Sequence, residues 1–233
     1  MTATPTAPRP EVPDLVVLDV NETLSDLGGL ADAFAAVGLD PRDVEAWFAG
    51  VLRDAFALTV LGDNPGFADV ATATLRSRLV AVDCADPDAA AAEVLQALVA
   101  LRPHPDVVPG LVALAALGCR VVTLSNGAAS VARTLLSGTD AEAVVEAYLS
   151  VEDAGRWKPA PQAYAHALSV TGVPAERALL VAVHPWDLEG AHRAGLRTAW
   201  LDRAGRGWPS CFTAPDLTAD GFVGLAEQLG PGA

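Results

Sequence analysis

The feature that most constrains this chain is a short apolar run ending in an acid: residues 14–19 read DLVVLD. A brief run of large apolar residues bounded by charge reads as a buried parallel strand. Similar runs recur at 119–124 (CRVVTL), 178–183 (ALLVAV) and 197–201 (RTAWL), with a further short strand expected at 146–151. Helical patterns separate them at 110–117, 128–137, 161–171 and 187–194, the first ended by Gly118. Strand and helix in alternation imply right-handed βαβ units and a parallel sheet. Between the first strand and the rest, residues 28–102 are almost wholly helical in pattern. Helices are expected there over 41–61, 67–82 and 86–101, the last with Asp86 as N-cap and Pro87 as its first residue. The fold class is therefore α/β: a Rossmann-like parallel-sheet core with helices on both faces, made of residues 14–26 and 103–233. An inserted helical domain spans 27–102, and residues 1–13 form a flexible N-terminal tail.

Composition excludes several kinds of function. A chain of 233 residues can bury a core without a disulfide or metal staple. With 52% hydrophobic residues and a mean hydropathy of +0.32, global disorder is excluded. No apolar run reaches the roughly 18–20 residues that span a bilayer, so no membrane partner is expected. The opening MTATPTAPRPEVP lacks the charged and apolar regions of a secretory signal. Fifteen basic residues against twenty-nine acidic ones, a net charge of -14, argue against a nucleic-acid partner. An anionic substrate would need local positive charge supplied by its own site. Cys84, Cys119 and Cys211 are odd in number and widely spaced, with no CxxC pair. Neither a zinc site nor a disulfide framework is suggested, and a reducing cytoplasm fits best.

In an open parallel sheet, ligands bind beyond the carboxyl ends of the strands, so the residues after each strand carry the functional signal. The first strand is followed by Asp19-Val20-Asn21-Glu22-Thr23-Leu24-Ser25-Asp26, and the second by Ser125-Asn126-Gly127. Trp157-Lys158-Pro159 comes next, and the third major strand is followed by His184-Pro185-Trp186-Asp187. Acid, hydroxyl, lysine and acid thus converge on one edge. Each has an ordinary structural use as well: Asp19 and Ser125-Asn126 as turn residues, Asp187 as a helix N-cap, Thr23 bonded back to its own turn.

Taken together, the four segments resemble the haloacid dehalogenase superfamily, in order and spacing, over essentially all of residues 14–202. The helical insertion looks like that family's cap domain. Two departures select a subclass. The family's phosphatases carry a second Asp two positions after the nucleophile, where this chain has Asn21, and an amide cannot donate and recover a proton at neutral pH. They also bind magnesium through an acidic pair four residues apart, of which Asp187 is present but the first position is Val183. What remains resembles the type II (L-2-)haloacid dehalogenase branch, which lacks both features. Trp186 before Asp187, and Tyr164 six residues after Lys158, agree with it.

The resemblance implies that Asp19 displaces halide from a short 2-haloacid or related small organic acid, giving an ester that water cleaves. It implies catalytic roles for Asp19, Lys158, Asp187, Thr23 and Ser125. Substrate contacts would come from Asn21, Ser125, Asn126, Tyr164, Trp186 and His184. No metal and no cofactor are expected, and the family likeness suggests a homodimer. The family's dehalogenases place a cap arginine over the substrate; the register puts Gly50 there, with Arg53 on the next face as a candidate replacement. Ala182 stands where a serine is expected, His184 where an Asn is, and Glu22 in place of a more usual Gly. His184 is either a base for the water step or a structural hydrogen-bonder. His104 reads as a linker residue, His166 and His192 as surface, and Trp47, Phe48 and Phe56 as core of the insertion. Competing functions are a magnesium-dependent phosphatase and a catalytically altered homologue that binds a small acid.

Overall fold

The computed structural model describes residues 10–230. In chain order its elements are β1 (Leu15–Leu18), α1 (Ala31–Ala36), α2 (Val44–Leu61), α3 (Phe67–Ala81), α4 (Pro87–Val99), α5 (Val107–Ala116), β2 (Arg120–Ser125), α6 (Ala129–Leu136) and β3 (Val145–Ser150). They continue with α7 (Val151–Ala154), α8 (Pro161–Thr171), β4 (Ala178–Ala182), α9 (Pro185–Arg193), β5 (Arg197–Leu201), β6 (Leu217–Ala219) and α10 (Phe222–Leu229). Among the described residues the strands form one parallel sheet in the order β3-β2-β1-β4-β5-β6. This is the α/β class that the alternation of apolar runs and helices implies.

β1 lies inside the sheet, between β2 and β4. All four of its residues are buried because successive side chains leave opposite faces and both faces are covered. Leu15 and Val17 join a core with Val122, Leu180 and the helices of the insertion, including Phe34, Trp47 and Leu75. Val16 and Leu18 join a second core with Val121, Val181, Leu111 of α5 and Phe222 of α10. The insertion therefore shares its apolar interior with one face of the sheet.

Helix boundaries follow their capping residues. The Asp86 side chain accepts the Ala89 N–H at 3.1 Å at the start of α4. Gly62 closes α2 at a φ of 104°, a left-handed conformation that suits glycine. α5 begins at Val107, three residues before the expected start, because Pro109 falls in its first turn, where a missing N–H costs nothing. β6 and α10 have no counterpart in the sequence reading, since a three-residue strand is too short to show a period.

Chain exit from and return to the sheet run side by side. The Asp26 N–H donates to the Arg102 carbonyl at 3.0 Å, and the His104 N–H donates to the Leu24 carbonyl at 2.9 Å. Of the expected tail, residues 1–9 lie outside the described residues. Residues 10–13 are held rather than free: Pro13 is buried, and the Glu11 carbonyl accepts from Arg197 at 2.7 Å.

α8 and α9 meet at Gly190. A Cβ there would sit 2.7 Å from the Pro159 Cβ and collide with the Tyr164 hydroxyl. Gly190→Ala is expected to destabilise the protein by roughly 1–3 kcal/mol, as overpacking does. Urea unfolding would read this as a lower midpoint at unchanged slope; an unaltered midpoint would mean that α9 can move aside.

Candidate active site

The site begins where β1 ends. The Asp19 N–H donates to the Val181 carbonyl at 3.1 Å, carrying the sheet ladder one residue beyond the strand. The chain then turns sharply, with the N–H groups of Leu24 and Ser25 both donating to the Val20 carbonyl. That turn brings the Thr23 hydroxyl back to Asp19, donating to Oδ2 at 2.6 Å. The same hydroxyl accepts the Val183 N–H at 3.1 Å, which ties the β1 turn to the end of β4. Arg203, from the loop after β5, braces the turn from outside through the Thr23 carbonyl at 3.0 Å and the Asp106 carboxylate at 2.7 Å.

Lys158 approaches from the segment before α8. Its backbone is fixed by Asn126: the amide oxygen accepts the Lys158 N–H at 2.8 Å, and the amide nitrogen faces the Lys158 carbonyl at 3.4 Å. The ammonium is wholly buried and donates to Asp19 Oδ1 at 2.8 Å and to Asp187 Oδ2 at 2.7 Å. Asp187 sits in the first turn of α9, where an acid suits the helix dipole. Its other oxygen accepts the Tyr164 hydroxyl at 2.6 Å. Ser125, the last residue of β2, accepts the Gly127 N–H at 2.9 Å, and Ser150 donates to the Gly127 carbonyl at 3.0 Å. These two bonds shape the turn that follows β2, the strand next to β1.

His184, the N-cap residue of α9, completes the constellation. Its Nδ1 lies 2.9 Å from Asp19 Oδ2 and its Nε2 lies 2.7 Å from a Glu22 carboxylate oxygen. The imidazole is flanked by Trp186 (4.9 Å between ring centroids) and by Phe48 of α2, stacked at 6.5 Å. Phe56, also of α2, meets Trp186 edge-on at 4.9 Å between ring centroids. The charged groups thus alternate in a row: Asp187, Lys158, Asp19, His184, Glu22.

Burial alone would raise the Asp19 carboxyl, but the Lys158 and His184 charges beside it hold it well below the usual carboxylate range. Burial would likewise lower Lys158, and its two carboxylate partners keep it raised and charged. Asp187 is pushed up by burial, with Lys158 opposing. For His184, burial favours the neutral ring, yet Asp19 and then Glu22 raise it to about 10. The free site therefore holds an ionised Asp19 between two cations.

Several residues stand differently from the expectation. Arg53 does not replace a cap arginine: its side chain is 76% exposed and pairs with its neighbour Asp54 at 2.7 Å. Gly50 is half-buried with open space around it, and the α2 residue stacked on His184 is the aromatic Phe48. Helical phase explains this, since Phe48 shares the buried stripe with Trp47, Val51 and Leu52. Tyr164 is buried with its hydroxyl committed to Asp187, so it braces that carboxylate rather than meeting a substrate. The Asn126 side chain is likewise committed to the Lys158 backbone. His104 is not a mere linker, because its Nε2 lies 3.1 Å from the Glu22 carbonyl. Asn21 is half-buried beside Gly127, with no side-chain hydrogen bond among the described residues. Sequence reasoning assigned no role to Glu22, Arg203 or Ser150; for Glu22 the available signal was a large acid at a turn position where glycine is usual. Among the described residues no three His, Cys, Asp or Glu side chains converge as a metal site would require.

A family model described as haloacid dehalogenase-like hydrolase matches residues 13–195. Haloacetate dehalogenase H-2 of Moraxella sp. (strain B) is 28% identical over 212 residues, covering 88% of this chain and 92% of the relative. The (S)-2-haloacid dehalogenase H-109 of Pseudomonas putida is 26% identical over 192 residues, covering 82% of this chain and 86% of the relative. In fold, the chain is similar to an L-2-haloacid dehalogenase of Xanthobacter autotrophicus solved with chloropropionic acid covalently bound, with a TM-score of 0.81, 24% identity and coverage of 91% and 96% of the two chains.

Removing the Lys158 ammonium would leave the buried Asp187 without a cation and Asp19 with His184 alone. Lys158→Met is expected to cost about 3–5 kcal/mol at pH 7. Burial already raises Asp187 and Lys158 opposes it, so without the lysine Asp187 rises further; the penalty is full only at pH above its value and shrinks as it protonates. Thermal unfolding of both proteins between pH 4 and pH 8 would show the gap narrowing in acid; a gap independent of pH would contradict the ion-pair account.

Proposed function

The chain belongs to the haloacid dehalogenase-like hydrolases, and we propose that it hydrolyses the carbon–halogen bond of short 2-haloacids through Asp19. The observation that carries this reading is a buried carboxylate, 4% exposed, at the end of a central strand and held ionised by a buried lysine. A carboxylate kept in this state, and largely stripped of water, is a nucleophile.

An Asp19 oxygen attacks the carbon bearing the halogen. The new C–O bond forms as the C–X bond breaks, and halide departs with the bonding pair. Water then adds to the Asp19 carboxyl carbon, the ester C–O bond breaks, and a 2-hydroxy acid leaves with regeneration of the Asp19 carboxylate and release of one proton. Halide needs no protonation to depart, which accords with an amide at Asn21. The second phosphatase acid is absent and the first position of the metal-binding pair is the apolar Val183, so phosphoryl transfer is the weaker reading.

Lys158 holds Asp19 in place, and Asp187 with Tyr164 holds Lys158. Thr23 orients the second Asp19 oxygen. The Asn21 amide and the Ser125 hydroxyl hydrogen are donors without a protein acceptor among the described residues, and in this reading they take the substrate carboxylate. Phe48 stacks on His184 and lies 6.0 Å between ring centroids from Phe67, whose Cβ is beside Gly127; in this reading the two rings limit the space and favour short acids. Residues 27–102 act as the cap over the site. The relatives' names support the substrate class, and the covalently bound acid in the Xanthobacter protein supports a covalent intermediate. Three cysteines, free among the described residues, accord with the reducing cytoplasm in which we place the protein. No helix among the described residues is long and apolar enough to cross a membrane.

Chloro- and bromoacetate and 2-chloropropionate are expected to yield halide in the presence of EDTA, and Asp19→Ala to yield none. A single turnover in heavy-oxygen water should leave the label in the Asp19 carboxylate, because water attacks the enzyme's carbon rather than the substrate's. Label found only in the hydroxy acid would sink the covalent route. Chelator-sensitive release of phosphate from a phosphate ester would restore the phosphatase reading.

A further inference from the structure

Ester hydrolysis needs a base for the attacking water, and most of the site is unable to be that base. Asp19 is consumed as the ester. Lys158 is held charged, and Asp187 is turned away from the ester, its two oxygens bonded to Lys158 and to Tyr164. Of the other groups at the Asp19 carboxyl, the Thr23 hydroxyl is a donor and no base at neutral pH, which leaves the His184 imidazole, with Nδ1 2.9 Å from Oδ2.

We infer that His184 is the general base of the water step and that Glu22 is the positioning residue that fixes its tautomer. The inference rests on the aspartyl-ester reading above. With its Nε2–H donated to the Glu22 carboxylate, a neutral imidazole keeps its Nδ1 lone pair on the side of the Asp19 carboxyl group, beside the carbon that water must attack.

A second, independent observation supports Glu22. Its φ is 62°, in the left-handed region, and among the described residues only Asp83 is another non-glycine residue with positive φ. A Cβ makes this conformation costly and glycine adopts it freely. A bulky acid retained in a glycine-like turn, with its carboxylate on His184 and its backbone carbonyl against His104 Nε2, implies use of the side chain. Glu22 and His184, though not Asp19, also line an open cleft of about 870 Å³, which gives the pair a path for proton exchange with solvent.

The charges around the imidazole switch it at the right moment. Asp19 and Glu22 face it directly, Phe48 and Trp186 wall it with apolar rings, and Lys158 lies beyond on the other Asp19 oxygen. In the free enzyme the ring is protonated, and this imidazolium supports Asp19 in place of a cap cation. Esterification removes the Asp19 charge and with it the larger of the two influences that keep the proton on His184. The ring then gives its Nδ1 proton to solvent and can accept one from water. As the hydroxyl adds to the Asp19 carbon, Nδ1 takes the proton and passes it to the departing alkoxide. The regenerated Asp19 acid returns its proton to His184. One proton is lost to solvent per turnover, as the overall reaction requires.

The test uses Glu22→Gln and Glu22→Gly with chloroacetate, reading halide in rapid quench and ester by intact mass. Both variants should release a first equivalent of halide, then turn over roughly 100-fold or more slowly with the ester accumulated. Glu22→Gly should keep its thermal midpoint, since glycine suits the turn. Ester hydrolysis in the wild type should rise with pH as Nδ1 loses its proton. In Glu22→Gln that rise should move to lower pH, because a carboxylate that raised the imidazole is gone. Turnover near the wild-type rate without ester would overturn the inference. So would a first halide release slowed as much as turnover, which would assign the pair to the attack of Asp19. Absence of halide release by the wild type itself would instead overturn the carbon–halogen reading and this inference with it.

Discussion

Five buried or half-buried ionisable groups alternate in sign, Asp187–Lys158–Asp19–His184–Glu22, and the rest of the structure is organised around keeping them together. Placing charges out of water is costly, and attraction compensates only when geometry is close and remaining hydrogen-bonding capacity is met. Here the Thr23 and Tyr164 hydroxyls complete the carboxylates, and the Asn126 amide secures the backbone that delivers the lysine. Those partners come from the ends of β1, β2 and β4, from α8 and α9, and from the segment between β3 and α8. A shift in any of these would leave a charge unpaired in the interior. The row therefore restricts the arrangement of the elements as well as preparing a nucleophile.

The helical insertion supplies what the sheet edge lacks. Its interior is continuous with one face of the sheet through Leu15, Val17, Val122 and Leu180, so it is seated by apolar burial rather than by a flexible tether. That seating brings Phe48 over His184 and Phe67 against Trp157, at 6.5 Å and 6.0 Å between ring centroids. Aromatic walls exclude water and strengthen each charged contact inside. The insertion contributes no cation in return. The arginines of α2 and α3 are paired at the surface, and the positive charge beside Asp19 comes from Lys158 and His184.

Much of this was legible in the sequence, for local reasons. A buried parallel strand leaves a continuous apolar run, so β1, β2, β4 and β5 were visible. The residues that follow them were the natural place to look for chemistry, and Asp19, Thr23, Lys158, Asp187 and His184 do meet there. Less legible was anything resting on side-chain direction. Register alone marked Gly50 and Arg53 on α2, while helical phase and the packing of Trp47 and Val51 turn Phe48 inward. Tyr164 and Asn126 looked like substrate contacts because they lie near the motif; their polar atoms are spent on neighbours. β6 and α10 escaped notice because three residues carry no period and a helix at the sheet's end can follow an irregular loop.

The sequence by itself determined the order of strands and helices, the place of the insertion and the identity of the acid, lysine and second acid, because period, punctuation and motif spacing are one-dimensional properties. Only the tertiary structure decided how those groups are wired. The pairing of His184 with both Asp19 and Glu22 joins residues 162 or more positions apart, and no local pattern encodes a distance of 2.7–2.9 Å across such a separation. It arises from the parallel register of β1 beside β4, which sets the turn after one strand against the turn after the other.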